Sequence, residues 1–273
     1  MKVLECPVKE NSPAVLTAYL HDVSPEMPQR TVRPAMLVLP GGGYHFCSDR
    51  EAEPLALEWF HRGYQAFVLR YTVIDDVHPA PLYQLPLQDA AAAMALLRRN
   101  AAVWQLDAQK IAVMGFSAGG HLAATLGTQW HDAALSDENI RPDALVLCYP
   151  VISTREEAGF GALYAAEKLT AGEPEWLTYF AAEENVREDT PPAFVWTTFG
   201  DHCVNIAHSL RFVQAMHQAG VACEFHLYDH GEHGYSLATA ETAAMPTLPP
   251  DAHIASWSAL AEQWLGRLFG WQK

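Results

Sequence analysis

The 273-residue sequence has few basic side chains, no long apolar run and no paired cysteine motif. It contains 17 Lys and Arg residues against 32 Asp and Glu residues, which gives a formal net charge of −15. Phosphate backbones and anionic lipid surfaces repel so acidic a chain, so we expect neither nucleic acid nor a membrane as a partner. No segment reaches the roughly 18 consecutive apolar residues that indicate a membrane-spanning helix.

Cysteine usage indicates a reducing compartment. The sequence has five cysteines, Cys6, Cys47, Cys148, Cys203 and Cys223. Their number is odd and none forms a C-x-x-C pair, which argues against a disulfide framework. The N-terminal segment has no continuous apolar core before charge returns at Lys9, so we expect no secretory signal and a cytoplasmic protein.

Half of the residues are hydrophobic and 18% are charged, as in a globular protein with a full-sized core. We find no internal repeat and expect one domain over residues 1–273. Strands are predicted at Ala35–Leu39, Tyr64–Tyr71, Lys110–Met114, Ala144–Tyr149, Ala193–Thr198 and Cys223–Tyr228. Helices are predicted at Glu51–Arg62, Leu85–Trp104, Ala118–Trp130, Ala207–Gln218 and Ser256–Phe269. Continuous apolar strands that alternate with helices predict an α/β fold with a mainly parallel, doubly wound sheet.

The segment 153–192 interrupts this alternation and is rich in aromatic residues. Long connections of this kind are often functional. The segment is therefore either a small helical insertion that acts as a cap or lid, or a set of surface helices with one apolar face.

The run Gly115-Phe116-Ser117-Ala118-Gly119 matches G-x-S-x-G and lies between a predicted strand and a predicted helix. This strand–turn–helix context favours a nucleophile elbow, in which the serine projects from a tight turn at the carboxyl edge of the sheet. The helix N-terminus adds positive potential where an oxyanion forms. The alternative is a glycine-rich turn with a helix-capping serine.

A serine nucleophile needs a base, and the base needs an orienting acid. In this context the chain order is Ser, then acid, then His, so we assign Ser117 as nucleophile, Asp201 as acid and His233 as base. Asp201 follows a predicted strand, and glycines flank His233. His230 is the rival base and Asp229 the rival acid. Histidines 226, 230 and 233 also have a loosely metal-like spacing, but no Cys or carboxylate cluster completes a zinc pattern, so we expect no metal.

Three glycines follow the first predicted strand, in the run Pro40-Gly41-Gly42-Gly43-Tyr44. Glycines let backbone amides turn toward a ligand, and a tetrahedral oxyanion needs two or more such donors. We assign Gly42, Gly43 and Ala118 as the oxyanion donors. A phosphate-binding loop is less consistent, because the run lacks the Lys-Ser/Thr ending.

Five segments together resemble one branch of a known superfamily: PGGGY, REAEPLALEWFHRGYQAFVLRY, IAVMGFSAGGHLAA, DTPPAFVWTTFGD and GEHGYSLA. They resemble the acetyl esterase and acetylxylan esterase-like branch of the α/β-hydrolases, near the hormone-sensitive-lipase-like carboxylesterases. The resemblance implies a cofactor-free serine hydrolase of short acyl esters, often acetylated sugars. The family's nucleophile, acid and base fall on Ser117, Asp201 and His233.

Two departures from the related patterns affect the substrate side of the site. Pro40 stands where the hormone-sensitive-lipase pattern has His, which weakens an expectation of lipase-like substrates. The acid's loop reads Gly200-Asp201-His202-Cys203-Val204-Asn205, whereas relatives often have Asp-Asp-x-x-Val-Pro. The acid is retained, but the shape of the loop differs.

We expect Tyr44, His45, Phe116 and His202 to contribute to substrate binding, and His121 to pack locally. The expected partner is a small acyl ester, and a carbohydrate is one option for its alcohol part. Whether the protein forms a homo-oligomer is left open by the sequence. Two other functions also remain open: an amidase or formamidase-like hydrolase with the same triad, and a non-catalytic binding module on a hydrolase scaffold.

Overall fold

The computed structural model describes residues 1–10 and 12–271, whose strands form one eight-stranded sheet. The strands are β1 (Lys2–Pro7), β2 (Val15–Leu20), β3 (Arg33–Leu39), β4 (Gln65–Arg70), β5 (Leu106–Phe116), β6 (Ala144–Cys148), β7 (Ala193–Thr198) and β8 (Cys223–Tyr228). They lie in the order β1-β2-β4-β3-β5-β6-β7-β8. In this order, each pair of neighbours from β4 through β3 to β8 is parallel. Strand β2 pairs antiparallel with both β1 and β4.

Helices cover both faces of this sheet. They are α1 (Glu53–His61), α2 (Leu85–Arg99), α3 (Ala101–Trp104), α4 (Ala118–Gln129), α5 (Ala162–Thr170), α6 (Pro174–Phe180), α7 (Ala207–Gln218) and α8 (Ala252–Phe269). Successive strand residues face opposite sides. On β3, Leu37 therefore packs in the core with α2, α4 and α7, while Met36 and Val38 pack in the core with α1 and α8. The predicted α/β fold with a doubly wound, mainly parallel sheet is confirmed.

The N-terminal hairpin of β1 and β2 is absent from the sequence prediction. β1 forms one edge of the sheet and is exposed over most of its length, so it lacks the alternation of apolar and polar residues that marks a half-buried strand. Other predicted elements differ at their ends. The helix predicted at Leu85–Trp104 is interrupted at Asn100, and the last helix begins at Ala252 because the carboxylate of Asp251 accepts the N–H groups of the first turn.

The segment 153–192 is helical, with α5 and α6 between β6 and β7. Its start is held by His208, whose side chain is fully buried. Nδ1 of His208 accepts the N–H groups of Ile152 and Ser153, and Nε2 donates to the carbonyl oxygen of Phe160 at 3.1 Å. Burial lowers the pKa of His208 to about 4, so the ring is neutral near pH 7.

Across residues 1–10 and 12–271, no helix has both the length and the hydropathy that crossing a membrane requires.

Candidate active site

Ser117 occupies the junction between β5 and α4 in a strained backbone conformation. Its φ is 53° and its ψ is −115°, a combination that side-chain-bearing residues adopt only when their surroundings enforce it. Two hydrogen bonds enforce it here. The N–H of Ser117 donates to the carbonyl oxygen of Cys148 at 3.1 Å, and the N–H of Val151 donates to the carbonyl oxygen of Ser117 at 3.1 Å. The turn therefore projects the hydroxyl group from the carboxyl edge of the sheet.

The glycines around Ser117 are required because the backbone is crowded there. A Cβ atom on Gly115 would overlap the carbonyl group of Gly119, and one on Gly119 would overlap the carbonyl oxygens of Leu39 and Pro40. No side chain fits at either position without moving the strand or the helix. The G-x-S-x-G pattern thus reflects close packing of α4 against β3 and β5.

His233 lies between Ser117 and Asp201. Its Nε2 is 2.8 Å from Oγ of Ser117, and its Nδ1 is 2.7 Å from Oδ2 of Asp201. An ionised carboxylate only accepts hydrogen bonds, so Nδ1 carries the proton and Nε2 is free to accept one from the serine. The carboxylate is itself oriented by two N–H donors, those of Cys203 at 2.9 Å and Val204 at 2.8 Å, which bind Oδ1. The side chain of Asp201 is fully buried.

The alternatives for base and acid lie outside this arrangement. Both ring nitrogens of His230 are occupied by carboxylates, Nδ1 by Asp229 at 2.8 Å and Nε2 by Asp251 at 2.8 Å. His226 instead contacts Glu224 at 3.1 Å. In the described part of the chain, no group of three or more His, Cys, Asp or Glu side chains is arranged to hold a metal ion.

The glycine loop lies beside Ser117. Gly42 and Gly43 have φ values of 128° and 61°, which favour glycine, and their N–H groups donate to no other residue of 1–10 or 12–271. Ala118 is the first residue of α4, so its N–H group also has no acceptor within the helix. These three amides are the donors that the sequence predicts for an oxyanion. Their role as oxyanion donors stays a prediction.

A cavity of about 1050 Å³ opens over Ser117 and His233. Part of its wall comes from the segment 153–192, whose exposed apolar side chains include Phe160, Leu163 and Tyr164. The ring of Tyr164 packs directly on Gly43, because a Cβ atom on that glycine would lie 2.8 Å from Cε1 of the ring. The segment 153–192 therefore contributes part of the cavity wall.

The four predicted substrate-binding residues have different positions. His202 borders the cavity with 84% of its side chain exposed. Tyr44 also borders it but is only 2% exposed, and its hydroxyl group lies 2.8 Å from Nδ1 of His121. His45 is exposed and packs edge-on against Tyr164, outside the residues that line the cavity.

The assignment of Phe116 to substrate binding is wrong. Phe116 is the last residue of β5 and is fully buried, with its ring against Tyr149 and Trp257. Its side chain points into the sheet core rather than into the cavity, because the turn directs only the next residue outward. Packing in the sheet core therefore determines the position of this neighbour of Ser117.

Two functional candidates were missed by the sequence analysis, Arg50 and Glu51. Arg50 donates from Nη2 to the carbonyl oxygen of Gly234 at 2.8 Å and thus contacts the loop of His233. Glu51 is 4% exposed and lies under the glycine loop. Burial raises the pKa of the Glu51 carboxyl. Both belong to the REAEP run that carries the resemblance, but charged residues just before a helix usually indicate solvent exposure.

The serine sits at a strand–turn–helix junction, and Ser117, Asp201 and His233 follow one another along a doubly wound parallel sheet. This combination of fold and site defines the α/β-hydrolase class. Within that class, the chain belongs to the BD-FAE family, whose model matches residues 22–216.

Individual relatives agree with this placement. The chain is 36% identical to endo-1,4-beta-xylanase B of Butyrivibrio fibrisolvens over 83% of its own length and 35% of that protein. It is 28% identical to the acetylxylan esterase of Xylanibacter ruminicola over 78% of its own length and 43% of that protein. The chain therefore spans less than half the length of these curated relatives. A solved structure, the acetyl ester-xyloside bifunctional hydrolase of Caldicellulosiruptor lactoaceticus, matches with a TM-score of 0.82 at 32% identity, covering 98% of this chain and 96% of that one.

Proposed function

We propose that the protein is a serine carboxylesterase for short acyl esters, with acetyl esters of sugars or xylo-oligosaccharides as its substrate class. The observation that carries the proposal is the hydrogen-bonded series from Ser117 through His233 to Asp201 beside a glycine loop with unused amides. The names of an acetylxylan esterase and an acetyl ester-xyloside hydrolase among the relatives support the acyl group and the sugar.

In this proposal, Oγ of Ser117 attacks the ester carbonyl carbon while Nε2 of His233 takes the hydroxyl proton. Asp201 keeps the proton on Nδ1 and stabilises the imidazolium that forms. The amides of Gly42, Gly43 and Ala118 bind the oxyanion of the tetrahedral intermediate. The alcohol then leaves with the proton from Nε2. Water adds to the acyl-enzyme by the same steps, which releases the carboxylic acid and restores Ser117.

The lining of the cavity has two apolar parts. Val151, Ala165 and Val204, each nearly fully buried, form a small cluster that lines the cavity and suits a short acyl chain. The other part is formed by the exposed aromatic side chains of Phe160 and Tyr164. Aromatic faces pack well against the apolar faces of sugar rings, so this part suits the alcohol of a sugar ester.

The test is hydrolysis of p-nitrophenyl esters with acyl chains of two to eight carbons by the wild type and Ser117→Ala. We expect activity that is highest for acetate and is lost in the variant. A parallel series with a formanilide distinguishes an amidase, for which amide turnover would exceed ester turnover. Equal rates in wild type and variant would contradict the proposed function.

A further inference from the structure

A buried carboxyl group lies behind the catalytic centre and takes no part in the proposed mechanism. Glu51 ends the short helical turn Asp49–Glu51, which leads from the glycine loop into α1. Its side chain is 4% exposed, and in the described part of the chain it forms no ion pair with Lys, Arg or His. An uncompensated buried carboxyl is costly, so its hydrogen bonds indicate what holds it in place.

Both carboxyl oxygens of Glu51 accept a hydrogen bond from a part of the active site. Oε2 accepts the N–H of Gly41 at 2.8 Å, which fixes the first peptide of the glycine loop. Oε1 accepts the hydroxyl proton of Tyr149 at 2.6 Å. Gly41 also packs against Ser117, because a Cβ atom on Gly41 would lie 3.1 Å from Cβ of Ser117. The carboxyl group thus connects the glycine loop with the strand end beside the nucleophile.

Tyr149 extends this connection to the loop of His233. Its hydroxyl oxygen accepts the N–H of Ser236 at 2.9 Å, three residues beyond the proposed base. Its ring lies edge-on to the imidazole of His233, with 5.0 Å between ring centroids. Tyr149 also has a φ of 38°, a strained value that its surroundings must maintain.

We infer, given the proposed esterase function, that Glu51 and Tyr149 form a positioning pair that holds the glycine loop and the His233 loop in register around Ser117. Neither residue makes or breaks a bond in the proposed mechanism, although the ring of Tyr149 packs on His233 and Glu51 borders the cavity. One of its three hydrogen bonds ends on the loop that binds the oxyanion, one joins the two residues to each other, and one ends on the loop that carries the base. Misplacement of either loop weakens transition-state binding more than ground-state binding, so the effect falls on kcat.

The charge state of Glu51 gives the pair a signature that packing alone does not have. The titratable groups that face its carboxyl are Tyr149, His233, Arg50, Cys148 and Tyr71. The hydrogen bonds from Tyr149 and Gly41 lower the pKa of Glu51 against the raising effect of burial. Removing the tyrosine hydroxyl therefore raises the pKa of Glu51. Because the ionised carboxylate is the form that accepts these hydrogen bonds, the acid limb of the pH–activity profile moves to higher pH.

The experiment compares Glu51→Gln, Tyr149→Phe and the double variant with wild type. We expect kcat to fall by about 10- to 100-fold in each single variant with KM nearly unchanged, since one oxyanion donor is worth about 10²–10³ in rate. We expect the kcat of the double variant to be no lower than that of the less active single variant, because the two residues act as one unit. The upward shift of the acid limb is expected in Tyr149→Phe and not in Glu51→Gln.

The control is Asp89→Asn, which changes another fully buried carboxylate that does not line the cavity. Asp89 accepts hydrogen bonds from Ser12 and Thr72 and also pairs with Lys9 at 2.9 Å. We expect a lower melting temperature in this variant with unchanged kcat. If Glu51→Gln fails to fold, Tyr149→Phe carries the test. A wild-type kcat in folded Tyr149→Phe would overturn the proposed pair. So would a double variant whose loss of kcat equals the product of the two single losses.

Wild type against Ser117→Ala in the same assay tests the proposed function by itself. If no ester is hydrolysed, the rate at which a fluorophosphonate labels Ser117 replaces kcat, since labelling also depends on the glycine loop and His233. Slower labelling in the Glu51 and Tyr149 variants would still support the pair, and equal labelling would overturn it.

Discussion

The hydroxyl group of Tyr44 lies 2.8 Å from Nδ1 of His121, and this buried hydrogen bond joins the glycine loop to the second turn of α4. On its other side, Nε2 of His121 donates to the carbonyl oxygen of Phe180 at the end of α6. One neutral histidine therefore connects the glycine loop, the helix α4 that follows Ser117, and the segment 153–192. Burial lowers the pKa of His121 to about 4, which keeps the ring neutral near pH 7.

Replacing Tyr44 with Phe tests whether this residue is structural. The change leaves Nδ1 of His121 buried without a donor, which costs about 1–3 kcal/mol of unfolding free energy. We expect a lower urea midpoint with KM close to wild type. A large rise in KM without loss of stability would instead show that the tyrosine binds substrate, as the sequence analysis predicted.

Gly119→Ala tests the packing of the nucleophile elbow. The added Cβ atom overlaps the carbonyl oxygens of Leu39 and Pro40, so α4 and Ser117 must shift. Because a displacement of about 1 Å can cost about 10² in rate, we expect kcat to fall by that order. The steady-state rate on p-nitrophenyl acetate measures it.

The matched control for this change is Gly220→Ala. Gly220 has a φ of 70° but no heavy atom within 4 Å of an added Cβ. We expect about 1 kcal/mol of lost stability from the left-handed backbone and an unchanged kcat. An active Gly119→Ala enzyme would contradict the account of the crowded elbow.

Asp201→Asn tests the acid. The amide no longer stabilises the imidazolium and permits the wrong tautomer of His233, so we expect kcat to fall by up to about 10⁴ at neutral pH. Asp229→Asn serves as the comparison, because Asp229 is exposed and its carboxylate contacts His230 rather than His233. If Asp229→Asn lost the activity and Asp201→Asn kept it, the assignment of the acid would be wrong.

The two buried histidines predict a loss of stability in acid. The folded-state pKa values of His121 and His208 lie at about 4, below the unfolded value of 6.5, so the unfolded chain binds protons first as the pH falls. Their contribution is complete above pH 6.5 and is lost between pH 6.5 and 4. The difference corresponds to about 3 kcal/mol for each histidine.

Urea unfolding at pH 7.5 and pH 5 measures this effect. Partly buried carboxyls with raised pKa values, such as Asp143 and Glu183, change stability in the opposite direction, so a variant is needed to isolate the histidine. We expect His208→Asn to be less stable at pH 7.5 and to depend less on pH than wild type. An equal pH dependence in both proteins would contradict a neutral, buried His208.

The sequence predicts the centre of this site better than its surroundings. Ser117 and His233 are recognisable because glycines and strand ends mark the positions of the loops that carry them. Phe116 lies within the same motif and was misassigned, because a one-residue step along a strand reverses the side-chain direction. Glu51 was missed for a different reason. Its burial depends on Tyr149, which is 98 positions away along the chain, and no local pattern encodes that contact.

The most direct test of the central claim is mass spectrometry of the protein quenched in acid during turnover of p-nitrophenyl acetate. The account predicts one added acetyl group on the peptide that contains Ser117, formed in a burst and absent in Ser117→Ala. Acetate release by wild type with no acetyl adduct, together with an equal rate in Ser117→Ala, would contradict nucleophilic catalysis by this serine.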